Sequence, residues 1–197
     1  TTPQERSQLG YVTQAREYAL NMGLTPKDSF TKYTKIDSEV LTWVVVGCRS
    51  DSFTLRAWWF PFIGTLPYKG FFEKEDALAA AKELEADGYE TWVRGSDAFS
   101  TLGWFNDPIL TPALKQPAVN LVNTVIHESV HATVWIPNNV AFNESLANFV
   151  GITGAQRFFE ESAAQCATPR TDCDKLRELA ALAQRIKSRE LAIGRGV

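Results

Sequence analysis

The placement of the histidines constrains this chain more than any other feature. The sequence contains two of them, His127 and His131, and they lie one helical turn apart. Apolar side chains around them recur at intervals of three to four residues, which predicts an amphipathic helix over residues 117–134. These apolar side chains are Val119, Val122, Ile126 and Val130. Because residues spaced i and i+4 share one side of a helix, both imidazoles can reach the same point.

Glu128 completes a His-Glu-Ser-Val-His pattern whose residue types suit the activation of water by a metal ion. The two imidazoles are predicted metal ligands, and the carboxylate beside them can take a proton from a bound water. We therefore predict one zinc ion per chain, held in part by His127 and His131. A catalytic zinc site has three protein ligands and keeps a fourth position for water. Since the chain has no further histidine, the third ligand must be Asp, Glu or Cys.

A second predicted helix, over residues 142–161, offers the third ligand. Glu144 and Asn148 lie one turn apart on it. Small side chains follow the same helix and allow it to approach the histidine helix closely. They are Ala147, Gly151 and Ala155. Residues 135–139, which contain a proline and two asparagines, are predicted to form the turn between the two helices.

The composition excludes several classes of protein. Hydrophobic residues make up 45% of the chain and aromatic residues 12%, which is enough for a folded core and excludes a disordered chain. The net charge of −3 provides no basic surface, so we expect no nucleic-acid partner. No apolar run reaches the roughly 18 residues that a transmembrane helix needs. The sequence begins with Thr and shows no signal peptide, so we expect that a targeting segment has been removed.

The remaining patterns place strands early and helices late. Further helices are predicted over residues 4–22, 73–87 and 174–193. Strands are predicted over residues 41–48, 53–60, 89–94 and 98–105. Residues 61–72 contain two prolines and are predicted to be a loop-rich stretch. This order of elements is typical of an α+β protein.

We expect a single zincin-like domain over residues 1–197. Its sheet-rich half, residues 1–115, is predicted to combine the N-terminal helix with a small antiparallel or mixed sheet. Its helical half, residues 116–197, is predicted to carry the histidine helix and the second, Glu-bearing helix. The small sheet and the N-terminal helix are expected to pack on this helical, metal-binding half.

The three cysteines favour one disulfide. Cys166 and Cys173 flank a short polar segment that contains a proline, and we predict that they pair in an oxidising compartment. Two unrelated thiols at helix ends are the alternative. Cys48 ends an apolar run and is predicted to be a buried thiol.

The segment around Glu144 resembles the second zinc segment of gluzincin metallopeptidases, the thermolysin type. It has the same Asn-Glu pair, followed by an apolar residue, an alanine and a polar residue. In gluzincins this glutamate is the third zinc ligand, which the resemblance places at Glu144. One turn later an aspartate usually orients the first metal-binding histidine. This chain has Asn148 there, whose carbonyl can still accept an imidazole N–H but has no charge.

More closely, the chain resembles a bacterial family of predicted aminopeptidases built on this zinc motif. The matching blocks are residues 67–72, 100–108, 127–131 and 142–147, and the resemblance covers most of residues 9–165. The resemblance implies a zinc peptidase that acts on peptide substrates. It also implies a bacterial cell-envelope protein on the periplasmic side, with possible membrane anchoring through a removed N-terminal lipoprotein segment.

The resemblance also implies roles for other residues. Glu128 would be the general base. Related peptidases use a Tyr or His as donor to the oxyanion, and here a Tyr, an Arg or the backbone remains. Tyr68 is the candidate because it lies in a matching block. A strand before the metal helix would pair with extended substrate, its glycine letting the peptide backbone come close. Its residues here are Ser100, Thr101, Leu102 and Gly103. Asp97 and Asp107 are candidates for binding a free α-amino group, or are turn residues.

Three readings of function stay open on the residues alone. The first is an aminopeptidase, the second an endopeptidase of the same fold. The third is an inactive, zinc-containing binding module of the cell envelope. Cobalt or manganese would fit similar ligands. The peptide preference and the oligomeric state do not follow from the sequence.

Overall fold

The computed structural model describes residues 1–37, 40–61, 64–96, 107–166 and 171–194. The described elements alternate between short strands and long helices, with the longest helices last. The helices are α1 (Pro3–Asn21), α2 (Lys74–Ala86), α3 (Ala118–Thr133), α4 (Val140–Gln165) and α5 (Thr171–Gly194). The strands are β1 (Tyr33–Thr34), β2 (Thr42–Cys48), β3 (Trp58–Phe60), β4 (Gly64–Leu66), β5 (Lys69–Phe71), β6 (Glu90–Ser96) and β7 (Ile109–Leu110). This mixture of helix and sheet confirms the predicted α+β class.

The chain forms two compact units. We call the first the helical unit; it comprises the described residues of Thr1–Thr34, Ser100–Trp135 and Asn143–Val197. The second, the sheet unit, comprises the described residues of Lys35–Phe99 and Ile136–Phe142. The N-terminal helix α1 thus belongs to the same unit as α3, α4 and α5, and not to the unit that contains β2 to β6.

The helical unit is built around α3. The predicted apolar stripe of this helix is buried, and Val122 and Ile126 are fully inaccessible to solvent. They pack with Val12 of α1 and Phe159 of α4 in one hydrophobic cluster. A two-stranded parallel sheet of β1 and β7 belongs to the same unit. Burial of such side chains stabilises a fold by about 1.5–3 kcal/mol each, so α3 is held firmly in place.

The termini of α1 agree with the sequence signals. Thr2 and Glu5 form a reciprocal capping box, in which each side chain accepts a hydrogen bond from the other residue's backbone N–H. The helix ends before Gly23, whose φ of +85° suits glycine and ends the helical geometry. The helices predicted over residues 4–22, 73–87, 117–134, 142–161 and 174–193 are confirmed, with ends that move by a few residues.

The sheet unit has a three-stranded antiparallel sheet in the order β5-β2-β6, with α2 against one face. The core between them is small, with Val45 of β2 against Ala77, Ala81 and Leu84 of α2. The strands predicted over residues 41–48 and 89–94 are confirmed as β2 and β6. Cys48, at the end of β2, is half-buried rather than buried.

The strand predicted over residues 53–60 is largely wrong. Only β3 (Trp58–Phe60) is a strand there, because the chain turns first. Phe53 has a φ of +52° and is mostly exposed, and its N–H donates to the Arg49 carbonyl across 2.8 Å. The alternating apolar residues of this segment belong partly to a turn, in which Phe53 is exposed, and partly to the short strand β3.

The stretch predicted as loop-rich, residues 61–72, contains two strands. β4 pairs with β3, and β5 pairs with the edge of β2. Pro67 lies between the two strands, where its missing N–H costs no ladder hydrogen bond. Both strands are three residues long, too short for a clear alternation of apolar and polar residues. β5 in addition depends on a partner distant in sequence.

The remaining predictions concern the disulfide, the strand over residues 98–105 and membrane-spanning helices. Cys166 and Cys173 are joined by a disulfide, as predicted, which ties the end of α4 to the start of α5. The strand predicted over residues 98–105 lies outside the described residues. Among the helices that the structure describes, none is both long enough and apolar enough to cross a membrane.

Candidate metal centre

The two long helices α3 and α4 bring three potential ligand side chains together. His127 and His131 lie on α3 one turn apart, and Glu144 lies in the first turns of α4. Their ligand atoms all lie within 4.8 Å of one another. Within the part of the chain that the structure describes, this is the one cluster of such residues able to hold a metal ion.

The distances between ligand atoms match one small ion. The two Nε2 atoms are 3.0 Å apart, and the Glu144 carboxylate oxygens lie 3.5 Å from His127 Nε2 and 3.4 Å from His131 Nε2. Ligands held at about 2.0–2.1 Å around a tetrahedral ion stand about 3.3 Å apart. The three side chains therefore fit one metal ion without rearrangement. Three protein ligands would leave a fourth position for water on a catalytic zinc ion.

The electrostatics of the group favour a cation. Hydrogen bonds from His127 and His131 lower the pKa of Glu144 to about 2, against the opposing effect of its partial burial. Burial of His127 opposes its protonation, but hydrogen bonding to Glu144 and the charges of Glu128 and Glu144 outweigh burial and raise its pKa. The Glu144 carboxylate is thus ionised at neutral pH, next to the two imidazoles.

Neighbouring groups hold the imidazoles. The Asn148 side chain hydrogen-bonds His127, and the indole of Trp135 packs edge-on against His131 at 5.3 Å between ring centroids. His131 is buried, and its Nδ1 has no hydrogen-bond partner among the described residues. This orphan nitrogen leaves Nε2 as the nitrogen that faces the ligand group.

Glu128 belongs to the same helix as the histidines, directly after His127 and three residues before His131. Its side chain is half-buried, and its charge contributes to the raised pKa of His127. A carboxylate near the metal group, and not part of it, is the arrangement that a general base requires.

Sequence reasoning missed one residue of the centre. Asn123 lies one turn before His127 on α3, and its Oδ1 is buried against Gly151 of α4. The signal was present, because Asn123, His127 and His131 repeat at intervals of four and therefore share a helix side.

The other predicted site residues lie elsewhere or outside the description. Tyr68 is half-buried between β4 and β5 in the sheet unit. Asp107 is buried in the helical unit, where its backbone contacts Ser29 and Phe30. Asp97 lies outside the described residues. So do the predicted substrate-binding residues Ser100, Thr101, Leu102 and Gly103.

Fold and site together define an α+β protein with a His-His-Glu group able to hold one metal ion. The chain belongs to the family described as "Putative aminopeptidase", whose family model matches residues 1–192. No curated protein matches the chain significantly. No solved structure does so either. The family description points to a peptidase, which agrees with the chemistry of the three side chains.

Proposed function

We propose that this protein is a zinc-dependent aminopeptidase that hydrolyses peptides with a free α-amino group. The observation that carries the proposal is the convergence of His127, His131 and Glu144, whose ligand atoms are spaced for one tetrahedral ion. Two imidazoles and one carboxylate form a known ligand set of catalytic zinc. Membership in the family supports the peptidase activity and its exopeptidase form.

The residues of α3 and α4 divide the work. His127, His131 and Glu144 would hold one zinc ion. When bound there, the ion would polarise the scissile carbonyl and lower the pKa of its water to about 7. Glu128 would take a proton from that water and then deliver it to the leaving amine. Asn148 would keep the His127 ring oriented through its hydrogen bond.

Two parts of the substrate site are proposed from the resemblance to gluzincins. Tyr68 is the candidate donor to the developing oxyanion, because both histidines serve as ligands and cannot do so. The segment Ser100–Gly103 is the candidate strand that pairs with the peptide backbone. For the free α-amino group, Asp97 stays a candidate. Asp107 is a weaker one, because it is buried with its backbone hydrogen-bonded to Ser29 and Phe30.

The disulfide supports a location outside the reducing cytosol. Disulfides form and persist in oxidising compartments such as the bacterial periplasm. Cys166 and Cys173 are paired here, with Cys173 fully buried. This supports the proposed place in the cell envelope, where an N-terminal lipoprotein segment would anchor the protein.

The test compares wild type with Glu128→Gln on matched peptides, one set with free and one with blocked amino termini. Wild-type protein should bind about one zinc per chain and hydrolyse the free peptides. Glu128→Gln should keep the zinc and lose activity by about 10²–10⁴-fold, because the general base is gone while the ligands remain. Glu144→Ala is the matched control, which should lose the metal as well.

The outcomes separate the alternatives. Hydrolysis of blocked peptides would indicate an endopeptidase. Zinc binding without hydrolysis of either set would indicate the inactive binding module. Full activity of Glu128→Gln would show that the mechanism is wrong.

A further inference from the structure

The helices α3 and α4 approach each other closely at Gly151. A Cβ atom added to this residue would overlap Asn123 Oδ1, and it would stand 3.2 Å from both the Asn123 carbonyl oxygen and His127 Cβ. The last two distances are already tighter than ordinary van der Waals contact. Gly151 therefore lets the backbone of α4 lie directly against the side of α3 that carries the ligand His127.

Asn123 supplies the opposite half of this contact. Its Oδ1 is buried and has no hydrogen-bond partner among the described residues. A buried carbonyl without a donor is unfavourable, so this side chain is held there by packing rather than by hydrogen bonding. The surface facing Asn123 is the Cα of Gly151, which is the smallest group that a backbone can present.

Glycine is not explained here by backbone conformation. Gly151 lies in the middle of the 26-residue helix α4, where glycine is less favourable than alanine. Its φ is not among the positive values found in the chain. The geometry of the contact with α3 is therefore the reason that the structure offers for a glycine at this position.

We propose that Gly151 is a positioning residue for the metal centre. It sets how closely α4 approaches α3, and so fixes the distance between the Glu144 carboxylate and the two imidazoles. The proposal rests on the metal centre of the proposed function. Gly151 and Glu144 are about two turns apart on the helix α4, about 10 Å along its axis. A displacement of α4 at Gly151 therefore also displaces Glu144.

Gly154 provides a contrast on the same helix. A Cβ there would approach Ile126 Cδ1 at 3.0 Å and Cγ2 at 3.2 Å. Ile126 is not a ligand, and its side chain needs to give by only a few tenths of an ångström. An alanine at position 154 can therefore be accommodated by local repacking, whereas one at position 151 meets a ligand-bearing segment of α3.

The experiment measures zinc affinity by competition with a chromophoric chelator, and the visible absorption of the cobalt-substituted protein. The variants are Gly151→Ala, with Gly154→Ala and Gly10→Ala as controls. Gly10 lies in α1, and a Cβ there would meet nothing within 4 Å. Gly151→Ala should weaken zinc binding by at least about tenfold and change the cobalt spectrum. Both controls should stay within about twofold of wild type.

A double variant tests the cause. Asn123→Ala removes the oxygen that the new Cβ would overlap, so Asn123→Ala combined with Gly151→Ala should recover most of the lost affinity. The free energy of unfolding of the metal-free variants is measured alongside zinc affinity, because removing the overlap would also repair a merely structural loss of stability. If Gly151→Ala fails to fold, Asn123→Gln crowds the same contact from the side of α3 and should weaken zinc binding likewise.

Three results would overturn the proposal. They are unchanged affinity of folded Gly151→Ala, unchanged affinity of Asn123→Gln, and a double variant as weak as the single one. Wild-type protein that binds no zinc would instead refute the metal centre itself. The failure of the two proposals is therefore distinguishable.

Discussion

The helical unit and the sheet unit differ in how far they bury their large apolar side chains. In the helical unit Phe159, Leu121 and Ile126 are fully buried in one extended cluster. Among the described residues of the sheet unit, the buried cluster consists of one β2 and three α2 side chains, and Trp59 and Trp92 are 69% and 62% exposed. The two units contain similar residue types but bury them to very different extents.

This difference shows where precise geometry is found. Metal ligands must hold their positions to within a fraction of an ångström, which requires side chains on rigid, well-packed elements. The three ligand side chains lie on helices that the large core holds. The sheet unit has a smaller buried cluster to hold such geometry.

The comparison is tested most strongly by truncating one large side chain in each unit. Phe159→Ala should lower the free energy of unfolding by about 3–5 kcal/mol, because it removes a fully buried ring and leaves a cavity. Trp92→Thr should cost about 0.5–1 kcal/mol, mainly the loss of the contact with the Arg94 guanidinium above its ring. Chemical denaturation followed by circular dichroism measures both. Equal losses would contradict the difference between the units.

The cysteines sharpen the comparison at an intermediate scale. The Cys166–Cys173 disulfide closes a loop of sequence separation 7. It should stabilise the protein by about 2 kcal/mol, because it lowers the conformational entropy of the unfolded chain. Cys166→Ser with Cys173→Ser should lose this amount under oxidising conditions. Cys48→Ala in the sheet unit is the control, since this half-buried thiol is unpaired and should cost less than about 1 kcal/mol. Thermal unfolding with and without reductant compares them, and insensitivity of wild type to reductant would refute the prediction.

The smallest expected effect is a pH dependence in the helical unit. Tyr18 donates a hydrogen bond to Glu161 across 3.1 Å, and burial together with this bond raises the pKa of Tyr18 to about 12 from 10.0. Since the folded pKa is the higher one, the contribution is present below pH 10 and is lost as the pH rises towards 12.

Tyr18→Phe tests this dependence. The variant should be less stable than wild type by about 1 kcal/mol below pH 10, and the difference should disappear as the pH approaches 12. Unfolding in denaturant at a series of pH values measures it. A difference in stability that stays constant between pH 10 and 12 would show that the hydrogen bond to Glu161 does not raise the pKa of Tyr18.

The elements that could be predicted are those with strong local signals. α1 has a capping box and a terminal glycine, and α3 has an apolar stripe that repeats every three to four residues. Such signals act within a few residues, so they are readable without knowledge of the fold. For the same reason the shared orientation of His127 and His131 followed from their spacing.

The elements that were missed depend on distant partners. β5 exists because it pairs with β2, more than twenty residues earlier in the chain. In the sheet unit Gly64 has a φ of +89°, and an added Cβ would overlap Asn138. Thr65 N–H donates to Asn138 Oδ1 as well, across 3.2 Å. No local pattern reports such contacts, because strand pairing is decided by the tertiary fold.

The sequence by itself determined which types of residue can be ligands, and it showed that their spacing resembles a known metal-binding motif. Two histidines on one helix side and no third in the chain required an acid or a cysteine as the last ligand. Tertiary structure decided that Glu144 stands 3.4–3.5 Å from both imidazoles. That distance depends on how α4 packs against α3, which involves residues far apart in sequence. Local spacing selects a helix face, whereas only packing between helices brings two such faces within the reach of one ion.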